Sequence, residues 1–307
     1  MRRRSFLTGG LSLALGGLLA TGSGTGHRPA RRSYDPAAIA DVDATITAIA
    51  DPRDAALTGL PAPAADVVAD LEARYPSLRL DAVSGLRGSV ALDGLTPVAG
   101  GLVARGAVDS RVLATDLGSD GATRVGTGST ADDRELPRFM RDSVAVAVAD
   151  RFVAVGHGPD ADAAAAHLDG LLTGTGSPPA SQRFGQLPHL LGGSARAYVA
   201  LDGTTRDAVR AWLADAGIEQ LSPVVDAAAA AGVAVEPGTD RTAARLGIVA
   251  DPDRLSLETL AEPLLAMHER ADAVTIGTPS RTGRTIVVDV AVETDSLWSA
   301  PPTALGI

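Results

Sequence analysis

Hydrophobic and polar positions change their periodicity several times along the chain, and each change predicts an element of secondary structure. Where apolar residues recur three and four positions apart, they form one face of a helix. A possible N-cap, Asp109, precedes one of these stretches. This spacing predicts helices over 37–50, 63–75, 108–117, 160–172, 204–216, 221–233 and 255–271.

Strict alternation of apolar and other residues predicts strands between these helices. Val and Ala alternate over 143–149, and a second alternating stretch follows over 151–156. Because only a short polar connection separates the two, they predict a β-hairpin. Further strands are expected over 78–83, 98–103, 195–201, 243–250, 274–276 and 285–292.

The pattern of strands and helices restarts after Gly-Thr-Gly-Ser-Pro-Pro at 174–179, the strongest break in the chain. The pentapeptide Val-Ala-Leu-Asp-Gly at 90–94 also recurs at 199–203. We therefore predict an α+β fold of two similar lobes of antiparallel strands packed with helices, and a duplicated ferredoxin-like unit is one candidate arrangement. The predicted lobes cover 34–173 and 180–296, and a tail follows at 297–307.

Composition excludes several classes of protein. Hydrophobic residues make up 45% of the 307 residues, which excludes global disorder, and aromatic residues make up only 3%. All 27 basic residues are arginine and the chain has no cysteine, so disulfides, thiolate metal sites and lysine- or cysteine-dependent catalysis are excluded. The net charge of -10 and the lack of a basic stripe disfavour nucleic acid as a partner.

The first residues combine positive charge with a following apolar run. Arg3-Arg4-Ser5-Phe6-Leu7 is a twin-arginine pattern, and the apolar run continues to Ala20. This combination resembles a Tat export signal carried by Arg3, Arg4, Phe6 and Leu7. The apolar run, about 15 residues, is shorter than the ~20 that a membrane-spanning helix requires. The pattern predicts a signal and flexible spacer over 1–33, the Tat translocase as a partner, and an extracytoplasmic location, with an N-terminal membrane tether if the signal is not cleaved.

Candidate catalytic chemistry is sparse. No two of the five histidines stand three or four residues apart, so no helical metal pair is predicted, and we expect neither a metal nor a cofactor. His157 lies between two glycines and Asp160 follows on the same predicted turn, so these two are the weak candidates for a catalytic pair. The alternative interpretation is a solvated loop histidine beside a helix cap. Neither Gly-x-Ser-x-Gly nor a phosphate-binding loop is present.

Three features together resemble uncharacterised Tat-exported proteins of haloarchaea or other high-GC organisms. They are the twin-arginine segment, the helix start at Ala107-Val108-Asp109 and the Val/Ala hairpin over 145–156. An acidic, lysine-free composition is typical of halophilic proteins, because molar salt screens surface repulsion. The resemblance implies a secreted or cell-surface protein and no catalytic residues. We therefore expect a non-enzymatic module that binds an envelope ligand, with an extracellular hydrolase that uses a His/Asp/Ser site as the alternative.

Overall fold

The computed structural model describes residues 34–52, 62–129, 135–174, 184–215, 217–270 and 274–294. Two short 3-10 turns accompany the α-helices, at Leu80–Ala82 and Glu219–Leu221. The α-helices in the described ranges are α1 (Pro36–Ala40), α2 (Ala62–Arg74), α3 (Ser110–Ser119), α4 (Ala161–Thr173), α5 (Leu187–Leu190), α6 (Gly203–Asp215), α7 (Ser222–Ala227) and α8 (Leu257–Arg270).

The strands form one continuous sheet in which every described pair is antiparallel. Their order is β11-β13-β10-β9-β8-β1-β2-β3-β7-β6-β5-β4, and β12 pairs with β13. The strands are β1 (Ala44–Ala50), β2 (Val83–Asp93), β3 (Thr96–Gly106), β4 (Thr123–Ser129), β5 (Glu135–Arg141), β6 (Val144–Ala149), β7 (Phe152–His157), β8 (Ala195–Ala200), β9 (Ala228–Glu236), β10 (Arg241–Ala250), β11 (Val274–Ile276), β12 (Ser280–Thr282) and β13 (Thr285–Glu293).

The two halves of the chain repeat one order of elements. The first half runs α1-β1-α2-β2-β3-α3, then a meander that ends in β7, which pairs with β3. The second half runs α5-β8-α6-α7-β9-β10-α8, then β11, β12 and β13. Strand β13 pairs with β10 on one side and with both β11 and β12 on the other. The prediction of an α+β fold with two similar antiparallel lobes is confirmed.

The ferredoxin-like form of that prediction is wrong in its strand order. A ferredoxin-like unit contains a split βαβ arrangement, in which a later strand is inserted between the first two. Here the strands β1, β2 and β3 are neighbours in chain order and are antiparallel, and β7 follows β3 in the sheet. The division at 174–179 cannot be compared with the structure, because most of that segment lies outside the described residues. The predicted boundaries of the lobes stay a prediction.

Strand β1 joins the halves, and the two copies of the repeated pentapeptide flank it. Val90 of β2 and Val199 of β8 both pair with Ile46, while Ala91 and Ala200 both pair with Thr45. The two identical segments therefore lie at the same level on either side of one strand. They do not occupy equivalent places in the duplication, since β8 corresponds to β1 and not to β2 in the repeated order of elements.

Helices cover both faces of the sheet. We call the face that carries Thr47, Arg87 and Tyr198 the front face and the opposite one the back face. On the front face α4 packs on β6 and β7 through Leu168, and α5 packs beside β10 through Leu187. On the back face, α3 packs on the first half, and α7 and α8 pack on the second half. Each buried leucine contributes about 1.5–3 kcal/mol to these layers.

Two predicted helices are partly wrong, because the second part of each segment forms a strand near the centre of the sheet. Residues 37–50 form the short helix α1 followed by β1, and residues 221–233 form α7 followed by β9. Apolar spacing favoured a helix over 37–50, and alanine content favoured one over 221–233. The sheet requires small residues there instead, because a Cβ on Gly232 would lie 2.8 Å from Leu191 Cδ1 and 3.0 Å from Tyr198 Cδ1.

The predicted export segment over 1–33 and the predicted tail over 297–307 lie outside the described residues. Among the helices that the structure describes, none combines the length and the hydrophobicity that crossing a bilayer requires.

Candidate functional site

The two residues that the sequence singled out, His157 and Asp160, lie close in the chain but act separately. Asp160 is the N-cap of α4, and its carboxylate accepts a hydrogen bond of 2.8 Å from the amide of Ala163. A carboxylate in this position satisfies one of the free amides of the first turn. Asp160 therefore has a structural role that accounts for its presence. The structure shows no hydrogen bond between the two side chains.

His157 ends β7 and lies near a second histidine that the sequence did not connect with it. Its Nδ1 atom is buried and has no hydrogen-bond partner among the described residues. His167, on α4, is fully buried and shares a hydrogen bond of 2.5 Å with the hydroxyl of Tyr34. Burial lowers the pKa of His157, and burial together with the nearby His157 lowers the pKa of His167 to about 4.

This histidine pair lacks the partners of a hydrolytic site within the part of the chain that is described. Neither imidazole ring is hydrogen-bonded there to a serine, a threonine or a carboxylate. Burial, and then the charge of Asp35, raise the pKa of Tyr34 far above its usual value, so its hydroxyl stays protonated. A nucleophile requires a base within hydrogen-bond reach and a group that orients the base. The geometry matches a buried polar contact between α1 and α4 better than it matches catalysis.

We expect the two buried histidines to make stability depend on pH between about 5 and 7. His167 stays neutral in the folded state over this range because its pKa is lowered to about 4, and the lowered pKa of His157 acts in the same direction, whereas the unfolded chain binds protons near the ordinary histidine pKa of about 6.5. Unfolding therefore takes up protons, and the free energy of unfolding falls as the pH falls, by up to about 1.4 kcal/mol per pH unit for each histidine.

Urea unfolding at pH 7, 6 and 5 measures this slope. His167→Gln should flatten it, and His189→Gln, at an exposed position on α5, is the matched control. An unchanged slope in the His167 variant would contradict the assignment.

A different group of charged residues converges on the front face at the centre of the sheet. Arg87 on β2 and Arg196 on β8 both pair with Ile49, so they flank this residue of β1 from opposite sides. Arg105 on β3 pairs with Gly85, two residues before Arg87, and its side chain points to the same face. We call Arg87, Arg105 and Arg196 the arginine cluster.

The positive charge of Arg87 is influenced by both other members of the cluster and by Tyr198. Burial lowers the pKa of Arg87, and the positive charges of Arg105 and Arg196 lower it further. Burial raises the pKa of Tyr198 to about 12, although Arg196 and Arg87 act in the opposite direction. Tyr198 follows Arg196 by two residues on β8, so its side chain lies on the same face of the sheet. The result is a concentration of positive charge in a protein whose net charge is -10.

Six arginines elsewhere in the described chain have acidic partners, and four more donate to a carbonyl or a hydroxyl group. The arginine cluster differs from these. Arg245, also on the front face, donates to Asp289 at 2.6 Å and to the carbonyl of Leu190. No carboxylate or hydrogen-bond acceptor in the described ranges contacts the side chains of the arginine cluster, and none contacts the Tyr198 hydroxyl. The other arginine–aspartate pairs in the described ranges are Arg74–Asp120, Arg79–Asp81, Arg138–Asp169, Arg141–Asp120, Arg141–Asp142, Arg210–Asp207 and Arg210–Asp226.

Arg87 and Arg196 are half-buried and Arg105 is exposed, and three positive charges side by side without a described counter-charge are unfavourable for folding. Their N–H donors have no acceptor among the described residues and are left to water. An anionic ligand would supply both the charge and the acceptors. The arginine cluster is therefore the strongest candidate for a ligand site in the described structure.

Sequence reasoning missed the cluster because its residues are far apart in the chain. A usable signal exists at each position, since Arg87, Arg105 and Arg196 each interrupt a run of small and apolar strand residues. A charged residue facing a buried layer needs a partner. The sequence alone does not show that β2, β3 and β8 lie within four adjacent strands. Within the described ranges no three histidine or acidic side chains come together as a metal-binding group.

The fold and the cluster together define an α+β protein with a large antiparallel sheet and a cationic centre on one face. Comparison with models of protein families gives no match, and comparison with curated proteins gives none. Among solved structures, crystal form III of TP0453 is similar with 11% identity and a TM-score of 0.48, over 87% of this chain and 97% of that one. Crystal form I of TP0453 has 10% identity and a TM-score of 0.48, over 87% and 96%.

Proposed function

We propose that the chain is exported through the Tat pathway and acts outside the cytosol as a binding protein whose ligand is an anion. The observation that supports binding is the arginine cluster, with donors and charges that no described residue satisfies. The twin-arginine segment supports export. The histidine pair offers a weaker basis for the alternative, a hydrolase, because Asp160 already caps a helix and no described nucleophile reaches either ring.

Binding can be tested with inorganic phosphate as a probe. We expect phosphate to raise the unfolding temperature of the purified protein saturably, because a ligand that binds only the folded state adds about 2.7 kcal/mol at 100 times its Kd. Any salt screens the repulsion within an acidic protein, so sodium chloride at equal ionic strength is the reference. Arg196→Gln should abolish the extra shift.

Arg245→Gln is the matched control for this experiment. Arg245 lies on the same face but already has Asp289 as its partner, so its loss should leave the response to phosphate intact. Equal shifts with phosphate and with chloride in the wild-type protein would contradict the proposed binding function.

Export can be tested separately with the conservative double substitution Arg3→Lys and Arg4→Lys. We expect the variant to remain in the cytosol of a host with a Tat system, because the translocase recognises the arginine pair and not merely positive charge. Cell fractionation followed by immunoblotting measures the distribution. Arg2→Lys, directly before the pair, is the control and should be exported normally. Normal export of the double variant would contradict the assignment.

A further inference from the structure

We propose that the arginine cluster selects a phosphate monoester over a carboxylate, with the organic group of the ester against Ile49. This assignment rests on the proposed binding function and specifies its ligand class. It follows from three features of the site, namely the number of its charges, the directions from which its donors come, and the apolar residue between them.

The number of charges favours a dianion. Arg87, Arg105 and Arg196 bring three positive charges, and no described carboxylate contacts any of them. A carboxylate would neutralise one of these charges. A phosphate monoester carries close to two negative charges at neutral pH, since its second pKa is about 6. The ester therefore compensates more of the repulsion within the cluster.

The directions of the donors favour a tetrahedral group. Arg87 approaches from β2, Arg196 from β8 on the other side of Ile49, and Arg105 from β3. Tyr198, two residues after Arg196 on the same face of β8, brings a hydroxyl to this side of the sheet as a fourth donor. A planar carboxylate presents two oxygen atoms in one plane, whereas a phosphate monoester presents three terminal oxygens in different directions. Guanidinium groups form paired hydrogen bonds with such oxygens.

The residue between the arginines favours an ester over free phosphate. Ile49 is only partly buried, and it belongs to none of the core clusters of the described structure. An isoleucine side chain at the centre of a cationic site offers an apolar contact directly beside the charged group. The carbon group of an ester can cover it, which removes apolar surface from water. Free phosphate has no such group.

Three ligands with the same phenyl group test the selectivity by calorimetric titration at low chloride: phenyl phosphate, phenyl sulfate and benzoate. We expect phenyl phosphate to bind roughly tenfold more tightly than benzoate, because it adds at least one charge-assisted hydrogen bond. Its affinity should rise between pH 5 and pH 7.5 as the dianion forms, while that of phenyl sulfate should not. Phenyl sulfate thus controls for titration of the protein itself.

Inorganic phosphate and the variant Ile49→Ser test the apolar contact. Phenyl phosphate should bind to the wild-type protein more tightly than inorganic phosphate does. Ile49→Ser should remove that difference without weakening the binding of inorganic phosphate. Arg245→Gln serves again as the control on the same face. Equal affinities for phenyl phosphate and benzoate would overturn the selectivity and leave the binding function standing. No binding of any anion would overturn both.

Discussion

Replacing Arg87 with methionine is expected to stabilise the unliganded protein while abolishing anion binding. The Arg87 side chain is half-buried, has no described counter-charge, and is repelled by Arg105 and Arg196. Methionine has a similar length and removes the desolvation of an unpaired charge. We expect a gain of about 1–2 kcal/mol in the free energy of unfolding, the opposite of the loss that most buried substitutions cause.

Urea unfolding at low ionic strength, with and without phosphate, measures both effects at once. The wild-type protein should gain stability from phosphate and the Arg87→Met variant should not. Arg245→Met is the control, because it breaks an exposed pair worth about 0–1 kcal/mol and should be neutral or slightly destabilising. A marked loss of stability in the Arg87 variant would show that this residue serves the fold, and the case for a ligand site would fail.

Replacing Gly156 with alanine is expected to cause the largest loss of stability of any change considered for this protein. Gly156 lies on β7 directly beneath α4. A Cβ at this position would lie 2.5 Å from the backbone nitrogen of Leu168 and would also collide with the carbonyl oxygen of Ala164. Backbone atoms cannot turn aside as a flexible side chain can, so α4 must move off the sheet. We expect a loss of about 3 kcal/mol, as for other overpacked cores.

The matched control is Gly118→Ala. Gly118 lies in α3, and a Cβ there would have no neighbour within 4 Å. Alanine should therefore stabilise that helix by about 0.5–1 kcal/mol. Differential scanning calorimetry of both variants gives the comparison. Equal unfolding temperatures for the Gly156 variant and the wild-type protein would contradict the close packing of α4 on β7.

Local sequence patterns were sufficient to predict the elements that bury one face against an element adjacent in the chain. The β6–β7 hairpin, the cap of α3 at Asp109 and the helix α4 all follow from periodicity and turn residues. Strands β1 and β9 did not follow, because the apolar spacing around β1 and the alanines of β9 suit a helix locally, whereas the close approach at Gly232 of β9 is a tertiary contact. The secondary structure of such segments is determined by tertiary packing and not by intrinsic propensity.

Local sequence patterns could not predict the candidate site, for a related reason. His157 attracted attention because it stands between glycines, whereas the arginine cluster has no local motif. Its three members become neighbours only through the pairing of β1 with β2 and β8. The duplication was visible from the restart of the pattern, yet the repeated pentapeptide that suggested it lies on strands that are not equivalent.

The position of β1 also determines how the chain must assemble. This strand takes hydrogen bonds from β2 on one side and from β8 on the other, and β8 follows only after the whole first half. Until residues 195–200 have been synthesised, the β8-facing side of β1 is an open edge that can pair with a second chain. Contacts between such distant segments form slowly. This topology therefore makes the chain prone to aggregate during synthesis. The risk ends when β8 pairs with β1 and joins the two halves.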